Sequence, residues 1–185
     1  DRAYGGDKEK VMDAGSVSIS LVDAISRAEG KTGGKALEAE VEDEDGKLVI
    51  EVETLKDGAV FEVQIDAASG KILSVKEEQE SEKEVAQMAE ALKASTITLA
   101  GGILKAETET GGRAVAAELE AEEDGVELEV EVVKDDAEIE VEIDPATGNV
   151  VEIEEEDGDE DEDEDDDDED EDEDEDEDDE DEDDD

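Results

Sequence analysis

The chain lacks the residue types on which most catalytic and redox sites depend. It has no cysteine, histidine or tryptophan, and one residue each of proline, phenylalanine and tyrosine. Without cysteine it forms neither a disulfide framework nor a zinc–thiolate site. Without histidine it lacks the usual general base at neutral pH. Two aromatic rings leave little surface for stacking sugars, bases or flavins. We therefore expect a protein that is not an enzyme.

Long apolar runs are also missing. No segment approaches the roughly 20 apolar residues that a membrane-spanning helix requires, so we predict no membrane span. No secretory signal peptide is visible, but the chain begins at Asp1 rather than Met, as a processed protein would.

Negative charge dominates what is present. The 185 residues include 71 acids and 15 bases, for a net charge of −56, and residues 154–185 are acidic at every position except Gly158. Such a segment buries no apolar surface to offset the entropy of ordering, which predicts a disordered polyacidic tail. Binding to nucleic acid is disfavoured because it depends on lysine and arginine at phosphates. The charge favours multivalent cations or basic proteins as partners.

The strongest organisational signal is an internal duplication. Residues 18–75 align without a gap on residues 96–153 at an offset of 78, and 25 of the 58 positions are identical. A repeat of this length indicates a duplicated domain rather than a solenoid of short units.

Each copy is predicted to begin with a short helix, capped by Ser20 or Thr98. The helices carry apolar stripes at helical spacing: Leu21, Ala24, Ile25 and Ala28 in the first copy, and Leu99, Gly102, Ile103 and Ala106 in the second. Between the copies, Ser81-x-x-Glu84 predicts a capped linker helix. Its apolar side is predicted to be Val85, Met88, Ala89 and Leu92.

Three strands with alternating apolar and polar residues follow each helix, and a short fourth strand closes each copy. Asp45-Gly46, Asp57-Gly58 and Asp124-Gly125 are strong signals for two-residue hairpin turns. The predicted fold class is α+β, with one helix packed on a three- to four-stranded antiparallel sheet in each copy.

The capped helix, the Gly-Gly pair after it, the hairpins and the closing segments IDAASGKIL and IDPATGNVV together resemble the PepSY domain. The resemblance covers both copies and implies two tandem PepSY-like units. The predicted organisation is a flexible N-terminus (1–15), repeat 1 (16–76), a linker helix (77–93), repeat 2 (94–154) and a disordered tail (155–185).

The resemblance also implies a setting and a range of roles. PepSY domains occur mainly outside the cytoplasm, so we expect a periplasmic or secreted protein. Some lie in peptidase propeptides, for which inhibition of a protease has been proposed. Some stand-alone tandem members, which this chain resembles, bind metal ions, including lanthanides.

The hairpins predict a face of carboxylates on each sheet. With two-residue loops at Asp124-Gly125 and Asp135-Asp136, three rows cross the second copy: Glu118–Glu131–Glu140, Glu120–Glu129–Glu142 and Glu122–Glu127–Asp144. The first copy gives a weaker version: Glu38–Glu53–Glu62, Glu40–Glu51–Gln64 and Glu42–Val49–Asp66.

Crowding of this kind favours a bound ion. Neighbouring strands are about 4.8 Å apart, and like charges directly opposite destabilise a sheet. Hard cations take several carboxylate oxygens, so we predict a Ca²⁺ or trivalent lanthanide site, chiefly on the second copy. The predicted ligands are Glu118, Glu120, Glu122, Glu127, Glu129, Glu131, Glu140, Glu142, Asp144, Glu38, Glu40, Glu51, Glu53 and Glu62.

Other interpretations remain open at this point. The carboxylates are also what a solvated outer face of an acidic protein would show. Asp66 and Asp144 are typical of residues that cap their own turns. Alternative functions are a peptidase-regulating or partner-binding module, and an acidic-tail chaperone or decoy for basic proteins.

Overall fold

The computed structural model describes residues 17–121, 125–135 and 137–156. Its elements, in chain order, are α1 (Leu21–Thr32), β1 (Lys35–Glu44), β2 (Lys47–Lys56), β3 (Ala59–Asp66), β4 (Ile72–Glu78), α2 (Glu82–Ala94), α3 (Leu99–Thr110), β5 (Arg113–Ala121), β6 (Val126–Lys134), β7 (Ala137–Asp144) and β8 (Asn149–Glu156).

All eight strands form one antiparallel sheet, in the order β4-β3-β2-β1-β5-β6-β7-β8. The prediction of an α+β fold is confirmed, but the prediction of two separate sheets was wrong. β1 and β5 pair with each other, with Ala39 opposite Ala117. An isolated copy would leave β1 as an exposed edge strand, and pairing with β5 satisfies that edge.

The seam between β1 and β5 lies on a pseudo-two-fold axis. Ala117 is the residue that the repeat aligns with Ala39, so each copy meets the other through the same position. A side-chain contact adds to this pairing, because the Arg113 guanidinium donates a hydrogen bond to the carbonyl oxygen of Ile19 (2.7 Å). The two copies are therefore joined by backbone and by side chain.

The helices α1 and α3 form as their sequences predict. The hydroxyl oxygens of Ser20 and Thr98 accept hydrogen bonds from the third backbone N–H of their helices, at 3.1 Å in both cases. Both helices end at a glycine with positive φ, 72° at Gly33 and 73° at Gly111, a conformation that glycine adopts without steric cost. The predicted apolar stripes are buried in both helices.

The helix α2 lies between the copies, and three of its four predicted apolar residues, Val85, Met88 and Leu92, pack against the core. Its capping box between Ser81 and Glu84 is confirmed. The prediction was wrong at Ala89, which is exposed, whereas Ala91 is buried. The predicted linker, 77–93, also overlaps β4, which extends to Glu78.

One hydrophobic core serves both copies. Ala91 and the buried stripes of α1 and α3 belong to a single cluster with the inward residues of the sheet, so the three helices lie on the same face. The strand residues predicted to face inward are buried or partly buried in both copies. The opposite face of the sheet is left for the alternate residues, as the two-residue period requires.

The predicted register is confirmed in the first copy. Asp45-Gly46 and Asp57-Gly58 form two-residue loops, with Glu44 opposite Lys47 and Lys56 opposite Ala59. Both loops have positive φ at both positions, as a type I′ turn requires.

In the second copy the predicted β5–β6 register was wrong by two residues. The structure pairs Ala121 with Val126 and Glu118 with Glu129, not with Glu131. The predicted turn used Asp124-Gly125, but the gapless repeat aligns the first copy's turn with residues 123 and 124. The structure adopts the register of the first copy, since Leu119 lies opposite Leu128 as Val41 lies opposite Ile50. A shift of two residues keeps inward residues opposite one another in either register, so the alternation alone does not select between them. The β6–β7 register is confirmed, with Glu131 opposite Glu140.

Two predicted segments lie outside the described residues: the flexible N-terminus (1–15) and the tail from residue 157 onward. The predicted start of the tail, residue 155, falls inside β8, which extends to Glu156.

Candidate functional site: the carboxylate face

The face opposite the helices carries two rows of side chains that cross every strand of the sheet. In order from β4 to β8, the first row is Lys76, Glu62, Glu53, Glu38, Glu118, Glu129, Glu142 and Glu152. The second row is Ser74, Gln64, Glu51, Glu40, Ala116, Glu131, Glu140 and Glu154. We call these rows, with Glu42, Glu120 and Glu127 beside them, the carboxylate face.

The structure brings most of the predicted ligands together on this face. The β5–β6 correction changes which residues are neighbours: the predicted rows Glu118–Glu131–Glu140 and Glu120–Glu129–Glu142 do not form. Glu120 instead lies opposite Glu127, and Ala116 opposite Glu131. A shift of two residues keeps each side chain on its own face. Glu122, in the third predicted row, lies outside the described residues.

Within the described part of the chain, one group of three carboxylates converges closely enough to hold an ion. Oxygens of Glu40, Glu42 and Glu51 lie within 4.8 Å of one another, and all three residues are partly buried. Glu40 and Glu42 are successive outward residues of β1, and Glu51 lies opposite Glu40 on β2. We call this set the Glu40 group.

The Glu40 group lies in the first copy, whereas the sequence favoured the second. Glu42 was placed in the predicted rows but was not chosen as a ligand. Its cross-strand partner is Val49, which is 2% exposed. An apolar residue between carboxylates is a signal that could have identified this end of the face, because a buried valine beside Glu42 reduces the exposure of that carboxylate to water.

Burial and mutual repulsion perturb the central carboxyl groups. Burial, followed by the charges of Glu42, Glu51 and Glu118, raises the pKa of Glu40 to about 7. Burial, followed by the charge of Glu42 and other neighbours, also raises the pKa of Glu51. Removing a carboxylate from water and placing it among like charges both disfavour its ionised form.

The second copy contains a carboxyl group of the same kind. Burial, followed by the charges of Glu140, Glu131 and Glu118, raises the pKa of Glu129 to about 7. Glu118 therefore acts on Glu40 across the seam as well as on Glu129 within its own copy. The seam does not separate the two copies electrostatically.

In the first copy, one positively charged side chain and one neutral amide contact the carboxylates. The Lys76 ammonium forms an ion pair with Glu62 at 2.8 Å, and the Gln64 amide donates a hydrogen bond to Glu44 at 2.8 Å. The repeat aligns Lys76, Gln64 and Ser74 with Glu154, Glu142 and Glu152. The second copy thus contributes more carboxylates to the carboxylate face, whereas the Glu40 group lies in the first copy.

Asp66 and Asp144 cap the turns that follow β3 and β7. Asp66 accepts hydrogen bonds from the backbone and hydroxyl of Ser69, at 2.7 and 2.6 Å. Asp144 accepts from the backbone N–H of Ala146 (2.9 Å) and the hydroxyl of Thr147 (2.6 Å). These hydrogen bonds lower the pKa of both carboxyl groups. Asp144, one of the predicted ligands, therefore has a structural role.

The donor set determines the chemistry that the face can support. Its ligands are carboxylate oxygens, and the chain has neither histidine nor cysteine. Such donors suit hard cations such as Ca²⁺ and lanthanides rather than zinc or copper.

None of the helices in the described residues is both long and apolar enough to span a bilayer.

Comparison with known proteins places the chain in a family. A search of curated protein sequences gave no significant match. Among solved structures, a candidate lipoprotein from Clostridium difficile 630 is similar, with 22% sequence identity and a TM-score of 0.48; the match covers 76% of this chain and 95% of that one. The family model for PepSY, the peptidase propeptide and YPEB domain, matches residues 18–76 and 82–154. The chain therefore belongs to the PepSY family and carries two PepSY domains in tandem.

Proposed function

We propose that this chain is an extracytoplasmic PepSY module that binds multivalent cations, Ca²⁺ or a trivalent lanthanide, through its carboxylate face. The observation that carries the proposal is the Glu40 group, whose three carboxylates have oxygens within 4.8 Å of one another. The family supports the extracytoplasmic setting and a non-catalytic role, because PepSY domains are typically regulatory modules without catalysis.

Repulsion among the carboxylates supplies the driving force. Two charges about 5 Å apart repel by roughly 3 kcal/mol at an effective dielectric constant near 20, and solvent and salt reduce this at an exposed face. A bound cation relieves several such repulsions at once. A trivalent ion gains more than a divalent one, which favours lanthanides over Ca²⁺.

The Glu40 group supplies the first ligands of the proposed site. Three carboxylates that bind through both oxygens approach the coordination of six to eight oxygens that Ca²⁺ takes. Glu118 of the second copy also acts electrostatically on Glu40. The remaining carboxylates of the face form a surrounding field that concentrates cations.

The test is calorimetric titration of the full chain with CaCl₂ and with LaCl₃, near neutral pH and at physiological ionic strength. The test variant is Glu40→Gln/Glu42→Gln/Glu51→Gln. The control variant, Glu82→Gln/Glu90→Gln/Glu109→Gln, removes the same number of carboxyl groups from exposed positions on the helices. The acidic tail is common to all three proteins, so its binding cancels in the comparison.

We expect a saturable phase of defined stoichiometry in the wild-type and control proteins. The test variant should bind in this phase at least about tenfold more weakly, a loss of about 1.4 kcal/mol. Equal binding by the test and control variants would reject a defined site at the Glu40 group.

The family match favours a second candidate function. PepSY domains are associated with peptidase regulation, so this chain is also a candidate regulator of a secreted peptidase. Inhibition of a peptidase encoded beside it, unchanged in the Glu40 group variant, would support this role independently of cation binding.

A further inference from the structure

The two outer strands of the sheet end the carboxylate rows in opposite ways. At the β4 edge the first row ends on Lys76, which forms an ion pair with Glu62. At the β8 edge the same row ends on Glu152, and the second row ends on Glu154. The strand β8 contains neither lysine nor arginine. The β4 edge of the face thus carries a positively charged lysine, whereas β8 carries no positively charged residue.

The β8 edge also exposes apolar side chains. Val151 is 60% exposed and Ile153 is 48% exposed. They alternate in sequence with Glu152 and Glu154. Ile153 lies opposite the inward residue Val141, and Val151 lies where the β7–β8 register shifts, between the Val150 and Glu152 pairs. Within the described residues, β8 pairs with β7 and is the last strand of the sheet.

We propose that β8 is a docking edge for an extended segment of a basic partner protein, in which lysine or arginine alternates with apolar residues. An edge strand offers unpaired backbone N–H and C=O groups, to which an extended segment can add as a further strand. The partner's basic side chains would lie beside Glu152 and Glu154, as Lys76 lies beside Glu62. Its apolar side chains would cover Val151 and Ile153.

Electrostatic repulsion disfavours a second copy of the chain as the partner at this edge, whereas a basic segment is attracted to it. Pairing β8 with β8 would bring Glu152 and Glu154 of two molecules together, and each molecule carries a net charge of −56. Like charges opposite one another destabilise strand pairing. Charged residues on an edge strand commonly prevent unwanted pairing, but that protection does not act against a basic strand.

The pseudo-two-fold symmetry provides matched variants. β4 carries Leu73 and Val75, exposed by 51% and 38%, at the positions equivalent to Val151 and Ile153. It differs in carrying Ser74 and Lys76 where β8 carries Glu152 and Glu154. Exchanging these pairs should therefore move the docking edge from one side of the sheet to the other.

The probe is a synthetic peptide of alternating lysine and valine, added to the full chain. Affinity is measured by fluorescence anisotropy of the labelled peptide, and the bound segment is located by amide hydrogen exchange. We expect slower exchange across Asn149–Glu156 and no change across Ile72–Glu78. In Glu152→Ser/Glu154→Lys, affinity should fall at least about tenfold. In Ser74→Glu/Lys76→Glu, protection should also extend to β4.

Two results would overturn the proposal. One is peptide binding without slower exchange in β8 and with equal affinity in Glu152→Ser/Glu154→Lys, which would assign binding to the tail or the whole face. The other is equal protection of the β8 amides from hydrogen exchange by a peptide of alternating lysine and serine with the same charge. That result would show that the apolar residues do not contribute to binding. Should the charge exchange unfold the protein, Val151→Thr/Ile153→Thr tests the same edge. The proposal is independent of cation binding at the Glu40 group.

Discussion

The raised pKa values on the carboxylate face predict that the protein loses stability as pH rises from about 4.5 to about 7. Glu40 and Glu129 have pKa values of about 7 in the folded protein against 4.5 for an unperturbed carboxyl group. Between these two values the folded protein holds protons that the unfolded chain has released. Stability falls with pH wherever the folded state binds more protons, and it should level off above about pH 7.

The size of this loss follows from the same values. One pKa unit corresponds to about 1.4 kcal/mol, so a change from 4.5 to about 7 sets an upper limit of roughly 3.4 kcal/mol for each group. Glu40 and Glu129 are partly exposed, and solvent screening reduces the contribution of each to about 1–2 kcal/mol. Together they should remove about 2–4 kcal/mol, a substantial part of the 5–15 kcal/mol typical of a folded domain.

The assay is urea denaturation followed by far-ultraviolet circular dichroism, in steps from about pH 5 to pH 8, without multivalent cations. The matched variant Glu40→Gln/Glu129→Gln has the same tail and the same fold but cannot ionise at these positions. We expect it to be more stable than the wild type at pH 8 and to show a flatter pH dependence. Equal slopes in the two proteins would refute the assignment of the pH dependence to these two groups.

Two further predictions concern the helices. Gly102→Ala should destabilise the protein by about 1 kcal/mol or more, because the added Cβ would overlap Cδ2 of the fully buried Leu128. Gly30→Ala, where an added Cβ has nothing within 4 Å, should stabilise the protein by about 0.5–1 kcal/mol, and the melting temperatures of the two variants test both expectations. Ser81→Ala removes the capping box of α2 and should cost about 1 kcal/mol, seen as faster amide exchange in Glu82–Ala94, whereas Ser26→Ala on the exposed side of α1 should leave that exchange unchanged.

Local patterns were sufficient to predict the first copy. The Asp45-Gly46 and Asp57-Gly58 dipeptides fix both loops, and the alternation of apolar residues then fixes which side chains share a face. The caps at Ser20 and Thr98 and the buried stripes of α1 and α3 follow from equally local rules. Short-range signals of this kind determine an element whenever no distant contact competes with them.

The second copy shows where such signals fail. The Asp124-Gly125 dipeptide suggested a turn one position later than the turn of the first copy, and the register moved by two residues as a result. The repeat alignment, which compares whole copies, contained the correct answer. Inward residues lie opposite one another in both registers, as Leu119 and Leu128 do in the structure, so the alternation does not choose between them. The equivalence of the two copies therefore predicts this register better than the hairpin dipeptide does.

The seam and the Glu40 group could not be predicted from the sequence of one copy. Nothing in β1 alone says that its free edge meets β5, since alternating strands look alike whether their neighbour is solvent or another strand. The convergence of Glu40, Glu42 and Glu51 depends on side-chain directions at one end of the sheet, which residue spacing does not specify. In α2, Ala89 was wrongly predicted to face the core for a similar reason: both Ala89 and Ala91 fit its pattern, and tertiary contact decides between them.

The meeting of Ala39 with Ala117 has a consequence for how the molecule is assembled. Each half pairs through its own first strand. A polypeptide with only one half could therefore form the same sheet as a homodimer, and the population of that dimer would depend on the protein concentration. Joining the halves through α2 makes that association intramolecular. Within one chain the two halves can also differ in sequence, so that one outer strand can carry lysine at the position where the other carries glutamate.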